Sequence, residues 1–170
     1  METIVSELFG GQALRFDHVP AGLVGAALFG AVIGFEREWR DHSAGLRTNM
    51  MVALASAIFA IIGIAIVAGT PPGEDRAVQV DPLRLIEAVT GGVAFLAAGI
   101  IVFAQGRVRG LSTGAAMWLS ASAGLATGLG LWLLGLLAAI GGIVILGAIR
   151  IVERKLGIHG KRTYDEPDET

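Results

Sequence analysis

The sequence predicts an all-α membrane protein: a five-transmembrane-helix bundle with its N-terminus outside and its C-terminus cytoplasmic. Three observations predict it. The 170 residues are 54% hydrophobic and only 16% charged, with a mean hydropathy of +0.68, whereas soluble domains carry about 25% charged residues. Long stretches lack Asp, Glu, Lys and Arg altogether, and a helix needs roughly 20 apolar residues to cross a hydrocarbon core about 30 Å thick. The basic residues then gather on one side of the resulting bundle. A soluble fold of this size could not hide so much apolar surface.

The elements follow in chain order. In segment 1–18, Ile4, Val5, Leu8, Phe9 and Phe16 recur at roughly helical spacing. This predicts a short amphipathic helix lying on the membrane surface. It is not a cleavable signal, because Glu2 and Glu7 stand where basic residues would be needed. The first span runs from Val19 to Phe35, bounded by His18 and Glu36. A second covers Thr48 to Gly69 and ends at the breakers Thr70-Pro71-Pro72-Gly73. The third runs from Leu83 to Gln105, with Arg84 and Glu87 confined to its first turns. Leu111 to Ile149 then gives 39 consecutive uncharged residues. That is too long for one crossing and right for two, joined near Thr127-Gly128-Leu129-Gly130. The membrane domain is thus expected over 19–152, followed by a polar cytoplasmic tail over 153–170.

Orientation rests on Lys and Arg. Arg15, Arg76 and Arg84 are the three bases on one side, and the other side holds ten. These ten are Arg37, Arg40 and Arg47, then Arg107 and Arg109, then the five in the tail. The ten-base side should be cytoplasmic. Trp39 and Trp132 then fall near opposite interfaces, where amphipathic rings prefer to sit.

Glycine is the compositional outlier, 25 of 170 residues against a usual share of about 7%. In lipid no hydrophobic force drives helices together, so small residues that permit close approach do that work. Gly22, Ala26, Gly30 and Gly34 form one such stripe on the first span, and Ala116, Ser120, Gly124 and Gly128 another on the fourth. These two helices are expected to carry the closest contacts of the bundle. The same stripes could instead serve a homodimer. Cysteine is absent, which excludes disulfides, thiolate metal sites and cysteine nucleophiles. A net charge of −2 with no basic patch excludes a nucleic-acid partner.

Polar groups with chemical potential cluster at the cytoplasmic rim. Glu36, Glu38 and Asp41 could offer oxygens to a hard cation such as Mg²⁺. Arg37, Arg40 and Arg47 share that loop, so mutual neutralisation is equally available. No cofactor is otherwise expected. Glu36 extends the glycine-striped helix, and Arg47 or Arg109 reaching it would pin three helices together. Glu87 is an intramembrane carboxylate with Arg84 three residues earlier, either a snorkelling pair or a proton- or cation-sensing group at an outer vestibule. Gly110-Leu111-Ser112-Thr113-Gly114 matches G-x-S-x-G, but that motif works at a strand-to-helix turn. Ser112 or Thr113 is better read as capping a membrane helix. His42 is on the same side, while His18 and His159 fall on opposite sides, which disfavours a histidine metal site. The chain is not expected to be an enzyme.

GFEREWRDHSAGLRTNM (Gly34 to Met50), VTGGVAFLAAGII (Val89 to Ile101) and GRVRGLSTGAAMWLSASAGLATGLGLW (Gly106 to Trp132) occur in that order. Together they resemble the MgtC/SapB family of bacterial membrane proteins, over roughly Leu23 to Arg154. The resemblance implies a five-span inner-membrane protein tied to growth under magnesium limitation, and in some pathogens to survival inside host cells. It implies regulators that bind other inner-membrane proteins, not transporters or ATPases, and no G-x-x-x-x-G-K-[ST] phosphate loop occurs here. By position, Glu36, Arg47, Asn49, Arg109, Thr113 and Trp118 match the family's recurrent polar and aromatic residues. Two departures stand out: a short form is expected, without the cytoplasmic C-terminal domain of longer members, and Ala94 and Ala97 stand where glycine is common. The expected function is a non-enzymatic membrane regulator linked to magnesium homeostasis. The alternative is a small Mg²⁺ or proton transporter or channel, against which the middles of the spans carry almost no ionisable group.

Overall fold

A computed structural model describes residues 18–39, 43–69, 82–104 and 107–155. The surface helix expected before His18, the loop around Arg76 and the tail beyond Lys155 lie outside the described residues. Among the described residues five helices form: α1 (His18–Glu38), α2 (Leu46–Gly69), α3 (Pro82–Ile100), α4 (Leu111–Gly128) and α5 (Trp132–Lys155). Two short strands, β1 (Val102–Ala104) and β2 (Arg107–Arg109), stand between α3 and α4.

Among the described residues three helices are long and apolar enough to cross a membrane, with Val19–Glu38, Leu46–Val67 and Leu83–Ile100 as their candidate spanning parts. Trp132–Ile145 is a shorter apolar stretch of α5. α4 is less apolar for a physical reason. It is the innermost helix and packs against all four others, so its buried side meets protein rather than acyl chains. Small and hydroxyl side chains therefore suit it, and Thr113, Ser120 and Thr127 are all buried.

The α4–α5 turn falls where the sequence predicts. Gly130 adopts φ +78°, its N–H donates to the Thr127 carbonyl at 3.0 Å, and the Leu131 N–H reaches back to the Ala126 carbonyl at 2.8 Å. This pair of bonds with a left-handed glycine is a Schellman closure, and it satisfies carbonyls that the helix end would orphan. The third span is a correction. Its helix stops at Ile100 instead of running to Gln105, and Val102–Ala104 pairs antiparallel with Arg107–Arg109, Ala104 facing Arg107. Ile101, Val102 and Phe103 are residues that favour strands, and a short apolar run does not by itself distinguish helix from strand. Gly110 then turns into α4 with φ +90°, and a side chain there would meet the Ile100 carbonyl oxygen at 2.5 Å.

The core has two sides, both on α4. Met117, Ala121 and Leu125 pack with Val89 and Val93 of α3 and Ala60 of α2. Ala116 and Ala123 pack with Ile33 of α1 and Ala139 of α5. The glycine stripes of α1 and α4 do carry the closest backbone approaches, but to α2 rather than to each other. A β-carbon on Gly30 would stand 2.6 Å from the Asn49 carbonyl oxygen, and one on Gly34 2.8 Å from the Leu46 Cα. One on Gly124 would collide with the Ala53 carbonyl, and one on Gly128 would lie 2.6 Å from that of Ala57. Between α1 and α4 the backbone approach is looser, a β-carbon on Gly22 standing 3.6 Å from the Thr127 carbonyl oxygen. Ala53 is thus met from both sides, its β-carbon lying 2.9 Å from a β-carbon at Gly30.

Candidate functional site

The C-terminal end of α1 and the N-terminal ends of α2 and α4 meet at one end of the bundle, where the buried polar side chains Arg37, Asn49 and Thr113 collect. Arg37, on the last turn of α1, is only 2% exposed. One terminal guanidinium nitrogen donates to Thr113 Oγ1 at 2.7 Å and to Ser112 Oγ at 3.2 Å. A charge-assisted contact thereby ties the first helix to the fourth. Asn49, one turn into α2, is fully buried. Its Nδ2 donates to the Gly45 and Ala44 carbonyls at 2.8 and 3.1 Å, and its Oδ1 accepts from Ser120 Oγ at 2.8 Å. Both faces of the amide are used, as a buried amide requires.

Close approach and polar contact depend on each other here. Gly30 and Gly34 bring α1 against the α2 backbone at Asn49 and Leu46, and Gly124 does the same for α4 at Ala53. Only at such separations can a short Asn reach a Ser across helices. Glu38 supplies a further link, its Oε2 accepting the Leu46 N–H at 2.8 Å. A carboxylate at a helix N-terminus satisfies an orphan donor and suits the dipole. Both carboxylate oxygens of neighbouring Glu36 are shielded from solvent.

Two expectations change. Neither Ser112 nor Thr113 caps α4, whose N-cap is Gly110 with no side-chain cap bond; both hydroxyls serve Arg37 instead. Arg47 and Arg109 are exposed, and the arginine that ties α1 to α4 is Arg37, buried on the last turn of α1. The Glu38 cap had no sequence signal beyond a carboxylate eight residues before a helix start.

The remaining candidates are spread out. Ala26, Ala116 and Ser120 are buried in the helix interfaces, and Trp118 is partly exposed on α4. Arg107 contributes backbone to β2, and Arg40 lies outside the described residues, as do Asp41, His42 and His159. Glu87 and Arg84 are exposed on α3, at the far end of that helix from the hairpin. Among the described residues no three His, Asp or Glu side chains gather as a metal would require. Ser112 faces a guanidinium, which cannot take up a proton, so this contact gives a serine nucleophile no base.

A family model for the MgtC family matches residues 23–155. The chain belongs to the MgtC family. Similar proteins include the Protein MgtC of Brucella abortus (strain 2308), 41% identical over 108 residues, which are 64% of this chain and 41% of the relative. The Protein MgtC of Salmonella typhimurium (strain LT2) is 40% identical over 114 residues, 67% of this chain and 44% of the relative. The alignments thus span less than half the length of these MgtC proteins. No solved structure matches the chain. The segment that carries the MgtC match contains Arg37, Asn49, Thr113 and Ser120 and, apart from Gly22, both small-residue stripes.

Proposed function

We propose that this chain is a non-enzymatic regulatory protein of a bacterial inner membrane, of the MgtC/SapB type. It acts in magnesium homeostasis, in adaptation to low magnesium, by binding partner membrane proteins. Residues 19–152 form a five-helix multi-pass domain with the N-terminus outside and the tail from 153 in the cytoplasm. Family membership supports the magnesium link. The observation that carries the regulatory reading is how the deep polar groups are used: Asn49, Ser120 and Thr113 are engaged in holding helices together. Conduction would require polar groups lining a path, and these are committed to packing. The exposed Arg47, Arg109 and Trp39 leave the cytoplasmic rim available for recognition.

The alternative is a small Mg²⁺ or proton transporter or channel, favoured by the exposed carboxylate of Glu87 within a spanning helix. Reconstitution separates the two. Purified protein in liposomes should pass neither Mg²⁺ nor protons above empty vesicles. Robust flux that disappears in Glu87→Gln establishes the transporter and ends the regulatory reading.

A further inference from the structure

The outward face of α3 differs from the exposed faces of α1, α2 and α5. Those faces are bulky: Leu133, Leu137 and Val144 on α5, Phe59 on α2 and Leu28 on α1 are all exposed. α3 is the least covered of the three apolar spans, with 17% of its spanning window buried. Val89, Val93 and Ala97 form its one buried stripe. On a helical wheel the face diametrically opposite carries Arg84, Glu87, Ala88, Gly91, Phe95 and Ala98, with Gly92 and Gly99 on its flank. All of these are exposed. Gly91, Gly92 and Gly99 are three of the five helical glycines, among the described residues, around which a side chain would meet nothing within 4 Å. Each glycine costs a helix about 1 kcal/mol relative to alanine, and within one chain no contact offsets that cost.

We infer that this face of α3 is where a second copy of the chain docks, giving a symmetric dimer in the membrane. The argument for a second copy is charge and shape. Copies inserted alike make a parallel pair about an axis normal to the membrane, so equal positions lie at equal depth. Arg84 and Glu87 differ by three residues, about 4.5 Å of helical rise. Each Arg84 then lies near the level of the other copy's Glu87, and two reciprocal ion pairs form at the rim. Below them Phe95, 80% exposed, projects between small residues at 88, 91, 92, 98 and 99, a knob and a hole on one face. A surface carrying both charges of the pair and both halves of the packing fits itself. This inference stands whether or not the regulatory reading does.

The chain has no cysteine, so single cysteines report directly. Gly91→Cys and Ala98→Cys, in the full chain in native membranes, should oxidise to a disulfide-linked dimer. Leu137→Cys, outward on α5, should not. Arg84→Glu and Glu87→Arg should each lower the crosslinked fraction at position 98 by about fivefold, and the double exchange should restore it. Restoration excludes misfolding as the cause of the single losses. Crosslinking at α3 no stronger than at Leu137→Cys, adducts only with a different membrane protein, or a double exchange that fails to recover would each overturn the dimer.

Discussion

At the residue scale, the buried end of the bundle rests on two side chains of different legibility. Asn49 was marked in the sequence only by the family resemblance, and its burial explains why it matters, because a buried amide must find partners within the protein. Arg37 was legible as a rim residue but not as a clasp, since its acceptors Ser112 and Thr113 lie 75 and 76 positions away and hydroxyls give no distance information. The two partners of Asn49 are not equivalent. Its bond to Ser120 joins α2 to α4, whereas its bonds to the Ala44 and Gly45 carbonyls fold the start of α2 onto itself. Ser120→Ala should therefore cost only about 0.6 kcal/mol, the usual yield of one interhelical hydrogen bond in a membrane. Asn49→Leu leaves the Ala44 carbonyl and the Ser120 hydroxyl without their partner, the Gly45 carbonyl keeping the backbone N–H of residue 49, and should cost about 2 kcal/mol. Unfolding in mixed detergent measures both, and equal losses would show that the carbonyl contacts carry no weight.

At the element scale, helix number and the α4–α5 turn were readable because uncharged runs and Gly130 have direct physical causes. The hairpin was not. Its residues continue an apolar run, and only tertiary context separates a β-rich helix end from a strand. The small-residue stripes announced close packing without naming the neighbour, since a stripe records what is absent from a surface. α2 turned out to be the shared neighbour, an ordinary apolar helix in sequence with Ala53 and Ala57 at the contact points. Two glycines separate the effects. Gly91→Ala has open space and should leave the folded monomer unchanged or up to about 1 kcal/mol more stable, as helix propensity alone dictates. Gly124→Ala gains the same propensity but drives a methyl into the Ala53 carbonyl. Overpacking costs about 1–3 kcal/mol and should win, lowering the melting temperature in detergent. A stabilised Gly124→Ala would refute the close α2–α4 approach.

At the scale of the whole molecule, charge distribution supplies an orientation that backbone geometry does not. Ten bases against three should hold the end containing Arg37 and Asn49 in the cytoplasm. A membrane-impermeant maleimide tests this on the cysteine-free chain. Leu131→Cys, exposed in the α4–α5 turn, should label in intact cells, and Ser43→Cys only after permeabilisation; the reverse pattern inverts the topology. The whole molecule also has one loose and one tight half. α1, α2 and α4 are bolted together through backbone contacts, while α3 hangs on the stripe of Val89, Val93 and Ala97. The paired strands lie between these halves: Ala104 pairs with Arg107, and Gly110 packs close to the Ile100 carbonyl where the helix ends. The end of α3 is thus tied through the hairpin to the first turn of α4, and that turn is the one that Arg37 of α1 contacts through Ser112 and Thr113. The outermost helix and the first helix are therefore joined at this end through a single guanidinium.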